Sequence, residues 1–177
     1  MRERMLGTAR FLTVLSSLAL WIAAAGMIVM TAMVAWQVFS RYILNASPSW
    51  TEAASILVMS WFIFLGAAVG VRENFHMGFD VLLHVLPEAA RPWLRSISDL
   101  AILVFGVGMV VYGTQLIVRT WTATIPVLGL PGGFAYMPLV AGGVLMTLFT
   151  LERLALRFAG VPVDHDPNAE EIALSEV

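Results

Sequence analysis

Four long apolar runs alternate with short polar junctions along the 177-residue chain. They cover residues 11–38, 50–71, 96–118 and 134–156. At ~1.5 Å of rise per residue, even the shortest run, 50–71, reaches roughly 33 Å as a helix, more than the ~30 Å hydrocarbon core of a bilayer. The pattern therefore predicts an all-α membrane protein with four transmembrane helices. A different pattern fills residues 73–86. Phe75, Phe79, Leu82, Leu83 and Leu86 recur at helical spacing on one face, while Glu73, His76, Asp80 and His84 fall together on another. This predicts a short interfacial amphipathic helix between helices 2 and 3, ended by Pro87.

The junctions set the expected limits. Trp36 and Tyr42 stand where amphipathic rings favour the headgroup level. Residues 45–48 read as a turn, and Ser49 followed by Glu52 forms a capping-box pattern that would open the second helix. Within that helix, Gly66 and Gly70 are spaced as a GxxxG pair, which lets helix backbones approach closely. The stretch 120–133, TWTATIPVLGLPGG, is unusually apolar for a solvent loop and is expected to lie against the membrane or a partner. Pro138 falls near the start of the fourth helix, where its missing N–H costs little. Residues 1–160 read as one four-helix membrane domain. Residues 161–177, with five acidic side chains and no basic one, read as a disordered, solvated tail. The N-terminal arginines and apolar run mimic a secretory signal, but the run is too long for one and reads as an uncleaved first helix.

Composition agrees and narrows the function classes. Only 12% of residues are charged, about half the ~25% share of a soluble domain. The net charge of -2 gives no reason to expect a nucleic-acid partner. The absence of cysteine removes disulfides, Fe–S clusters and thiolate metal sites. Every basic residue is arginine. Three arginines lie in the N-terminal flank, three between helices 2 and 3 and two at the C-terminal flank of helix 4 (Arg153 and Arg157), against one each (Arg41 and Arg119) in the other two loops. That bias predicts both termini on the cytoplasmic side.

The residues offer little chemistry within the membrane. A carrier needs ionisable or coordinating groups at mid-membrane, yet the helix centres contain none, and Asp99, Glu52 and Glu152 all lie near helix ends. His76 and His84 lie in the connecting segment and His165 in the tail, so no facing pair is available to hold a haem. His76, Asp80 and His84 share a face, but the outer two stand about 12 Å apart along a helix axis, too far for one metal ion. No nucleophile–base set and no phosphate loop marks an enzyme. Arg41 and Glu52, at the two ends of the first loop, could form an ion pair, contact a partner jointly, or act as independent headgroup-level charges. Arg72 is expected to snorkel to the inner interface.

One set of residues resembles a known family, the DctQ-type small permease subunit of tripartite ATP-independent periplasmic (TRAP) transporters. It comprises Arg41-Tyr42, Asn45 and Trp50-Thr-Glu52, then Trp61-Phe62, Gly66-Ala67, Arg72 and His76-Met77-Gly-Phe-Asp80, with Pro131, Tyr136 and Pro138 before the fourth helix. Ala53 departs from the pattern, because many relatives carry a second acidic residue there. The resemblance implies a bacterial inner-membrane subunit without a cofactor of its own. A large permease would carry the substrate and sodium sites, and a periplasmic binding protein would deliver an organic acid. Arg41, Tyr42, Asn45, Trp50, Glu52, Trp61, Gly66, Gly70, Arg72, His76 and Asp80 are then interface or structural candidates. The two outward loops would face the binding protein. The alternative is a stand-alone four-helix protein, a small exporter or a sensor.

Overall fold

The computed structural model describes residues 2–46, 48–73 and 91–158. Four helices fill these segments: α1 (Arg2–Tyr42), α2 (Trp50–Arg72), α3 (Arg91–Thr120) and α4 (Met137–Phe158), with a 3₁₀ turn at Gly132–Tyr136 leading into α4. Each contains a span long and apolar enough to cross a membrane. The chain is thus a multi-pass membrane protein with an all-α fold. The amphipathic segment after residue 73, including His76 and Asp80, and the acidic tail lie outside the described residues.

The helices extend beyond the apolar runs. α1 continues through its arginine-bearing flank and covers 41 residues, because no proline interrupts it and helix formation does not require apolar side chains. It stops where Asn45 takes a left-handed φ of 50°, a conformation asparagine tolerates. The Ala46 amide then donates to the Ser40 carbonyl at 3.0 Å. α3 begins at Arg91, several residues before its apolar span. The predicted capping box does not form. Ser49 already has helical backbone angles and its side chain makes no cap bond, while the buried Thr51 hydroxyl donates to the Pro48 carbonyl at 2.8 Å.

The helices pack as a row rather than a closed bundle. α1 packs on α2, α2 on α4, and α4 on α3. The row order is therefore 1–2–4–3, with α1 and α3 at its edges. Accordingly 33% of the 18-residue apolar window of α4 is buried within the chain, but only 11% of that of α1. The core is small and centres on Phe149, with Leu65, Ala68 and Val69 from α2 and Leu145 and Met146 from α4.

Small residues set the helix spacing. Ser16, Ala19 and Ala23 are buried on α1. Gly26 follows one turn later, where a Cβ would lie 3.2 Å from the Phe62 Cβ. On α4, adjacent glycines serve different neighbours. A Cβ on Gly142 would stand 2.8 Å from the Phe64 Cβ of α2, and one on Gly143 would stand 2.8 Å from the Met109 Cβ and 3.0 Å from the Gly106 carbonyl oxygen of α3. Two glycines in sequence thus let α4 approach both flanking helices. The sequence pattern had pointed instead to Gly66 and Gly70. Within this chain both face open space, with nothing within 4 Å of an added Cβ.

Candidate functional site

The charged residues of the described spans gather at the two ends of the row. Between those ends the described helices contain no charged side chain. The α1–α2 and α3–α4 connections share one end, called here the loop end. The C-terminus of α2, the first turns of the α3 span and the last turns of α4 share the other, called the clasp end.

At the clasp end, two arginines join all four helices. Arg72, the last residue of α2, donates from Nη2 to the Thr13 hydroxyl of α1 at 2.8 Å. Its Nε lies 3.7 Å from Glu152 Oε2 on α4. Its guanidinium also sits over the Phe149 ring, 5.4 Å from the centroid, within cation–π range. Arg153, the next residue along α4, reaches the other way. Its Nη1 lies 3.2 Å from Asp99 Oδ1 on α3, and both side chains are almost fully buried. Its Nη2 donates to the Val71 carbonyl and lies 3.5 Å from that of Arg72. These carbonyls belong to the last turn of α2, which has no intrahelical donors for them, and a cation there also complements the helix dipole. Consecutive residues of α4 therefore close two ion pairs, one toward α2 and one toward α3.

By position alone Arg72 is expected to snorkel, and no motif in the sequence pattern groups Asp99, Glu152 and Arg153. Arg72 does not reach freely for headgroups, because a hydroxyl, a carboxylate and an aromatic ring hold it. The available signal was the similar depth of opposite charges near the ends of three spans.

The loop end is arranged differently. Arg41, Tyr42, Asn45, Trp50 and Glu52 are all exposed. Among the described residues Arg41 and Glu52 form no ion pair with each other; the ion pairs that join helices are at the opposite end. Trp61 is half-buried and packs against the core. The structure thus groups Arg41, Tyr42, Asn45, Trp50 and Glu52 around one exposed loop, places Arg72 in the clasp, and leaves Gly66 and Gly70 on an open helix face. One shallow groove runs along α3 between Val110 and Arg119, with only Thr114, Gln115 and Arg119 as polar lining residues. All its lining residues come from that single helix, so no acid, base and nucleophile converge there.

Known proteins share this chain's pattern. A family model described as "Tripartite ATP-independent periplasmic transporters, DctQ component" matches residues 30–160. A putative TRAP transporter small permease protein of Haemophilus influenzae is 31% identical over 129 residues, which are 71% of this chain and 78% of that protein. The sialic acid TRAP transporter small permease protein SiaQ of Vibrio cholerae is 27% identical over 128 residues, 72% of this chain and 74% of that protein. The sialic acid TRAP transporter permease protein SiaT of Haemophilus influenzae is 24% identical over 144 residues, 78% of this chain but 22% of that protein.

Proposed function

The chain belongs to the DctQ component family of the tripartite ATP-independent periplasmic transporters, and on that premise we propose that this small permease subunit braces a large permease and helps dock a periplasmic binding protein. The observation that carries this reading is the charge map. The spans lack mid-membrane charged groups, and the four charges of the clasp are tied to one another within the chain. A chain built this way stiffens a pathway rather than forming one. The open row supports the brace, because its edge helices and the Gly66–Gly70 face remain available to a second membrane protein. The match to a stretch forming 22% of a much longer permease protein supports a large permease as that partner.

In this reading the protein sits in the bacterial inner membrane with both termini in the cytoplasm, as the arginine distribution favours. The clasp end then faces inward and the loop end faces the periplasm. Arg41, Tyr42, Asn45, Trp50 and Glu52 form the part of the docking surface contributed by this subunit. The segment 76–86, with His76 and Asp80, anchors the assembly at the inner interface. The transported compound is an organic acid, by analogy with the sialic acid relatives. Sodium coupling belongs to the large permease, and this chain carries no cofactor. The same layout treats residues 1–160 as one membrane domain with an acidic tail.

Gentle extraction of the tagged chain tests the proposal. Stoichiometric recovery of a large, many-helix permease is expected. Recovery of a stable, solitary chain, or transport by this chain alone in proteoliposomes, would overturn it.

A further inference from the structure

The connection between α3 and α4 contains no charged residue from Thr120 to Tyr136, yet it is well formed. Ile125 donates its amide to the Leu130 carbonyl at 2.7 Å and Gly132 donates to Ala123 at 2.6 Å. Thr124 and Pro131 form an antiparallel bridge. Ala123, Leu128, Gly129 and Phe134 also donate their amides to carbonyls of the same connection. Pro126 and Pro131 have no amide hydrogen to satisfy. Much of the loop's donor capacity is therefore turned inward, as a non-aqueous environment requires. A loop built to dock a soluble protein presents hydrogen-bonding groups outward, about one per 100–200 Å² of interface.

The side chains point to the same conclusion. Val127 is 60% exposed at the tip and has a φ of 70°. That conformation is a genuine outlier for a β-branched residue, and glycine would adopt it without strain. Water gives an exposed valine no compensation for it; burial of the isopropyl group in an apolar phase does. Trp121 stacks on Phe134 at the loop base, with centroids 6.0 Å apart, as aromatic residues do at membrane interfaces. Val111 and Val118 near the end of α3 and Trp121, Val127 and Leu130 in the connection are all exposed large apolar residues. Arg119, next to Val118, is exposed, placed to meet lipid phosphate.

We propose that the α3–α4 connection is a hairpin inserted into the bilayer leaflet at the loop end, with Val127 and Leu130 in the lipid and Trp121 at its surface. Insertion of the hairpin does not rest on the partner assignments above; only the part of the test that adds the binding protein does. It leaves the α1–α2 connection as the soluble docking element at that end.

The native chain has no cysteine, so single environment-sensitive labels can be placed cleanly. The full chain, with its large permease in proteoliposomes, is labelled at Val127→Cys, at Leu130→Cys as a second site, and at Ala46→Cys in the other loop. Lipid-borne nitroxide should quench the labels at 127 and 130 several-fold more than aqueous iodide does, with the reverse at 46. Adding the binding protein should change neither label in the α3–α4 connection. Iodide quenching at 127 and 130 equal to that at 46 would overturn the proposal. So would shielding from both quenchers, or shielding that appears only with the binding protein, since either would mean a protein covers the hairpin.

Discussion

At the clasp end charged side chains meet inside the chain, whereas at the loop end they stand exposed. Arg72, Glu152, Arg153 and Asp99 are drawn from three helices, and each finds an opposite charge. Arg41 and Glu52 flank a single short connection, yet they remain unpaired with each other. Proximity in sequence therefore does not decide which charges pair. The difference lies in burial. Asp99 and Arg153 are almost fully enclosed, where an unpaired charge costs several kcal/mol, so pairing is obligatory. Exposed charges at headgroup level gain about 0–1 kcal/mol from pairing and can stay free for an external partner. One end fastens the row internally, and the other leaves its charges available to something outside the chain.

The comparison breaks most sharply at Arg153. Replacing it with alanine leaves the Asp99 carboxylate buried without its cation, at an expected cost of about 3–5 kcal/mol. Thermal denaturation in detergent should show a marked fall in midpoint. An Asp99→Asn, Arg153→Met double variant should recover much of the loss, which separates charge isolation from lost packing. Next in size is Gly142→Ala, whose new methyl would press on Phe64 and cost about 1–3 kcal/mol. Gly66→Ala should leave the isolated chain unchanged or slightly stabilised, because alanine favours a helix by ~1 kcal/mol and open space surrounds the site. Equal destabilisation by the two would contradict the row described here. Arg72→Ala should cost about 1 kcal/mol, since its pair with Glu152 is looser and only partly buried. Smallest is the charge swap Arg41→Glu with Glu52→Arg. It should alter the stability of the isolated chain by less than about 0.5 kcal/mol, and the swap should rescue no defect of either single variant. Rescue would mean that the two residues pair after all.

Much of the fold was readable because lipid imposes a simple condition: each span must be long, apolar and helical. Apolar runs therefore marked the four helices, and α2 began at Trp50 and ended within a residue of its predicted limit. The limits of α1 were not readable in the same way, because its helix runs on through a polar flank that hydropathy does not count. The glycines that pack helices within the chain were not readable either. Gly66 and Gly70 carry the better-known spacing, but the face that meets a neighbour depends on helix order. Gly142 and Gly143 gain their role only because α4 lies between α2 and α3. The clasp has the same origin. Asp99 and Arg153 are 54 residues apart, and only the row order 1–2–4–3 brings their helices together. The candidate residues of the first loop came from a family pattern, and the structure adds that each of them is exposed.

The loop end is proposed to work outside the chain. Its most direct test is uptake by the purified complex in proteoliposomes, measured against the concentration of binding protein for an Arg41→Ala, Glu52→Ala double variant. The account predicts an intact assembly that needs several-fold more binding protein to reach half-maximal uptake, with the maximal rate little changed. A dependence on binding protein identical to that of the unaltered complex would contradict it.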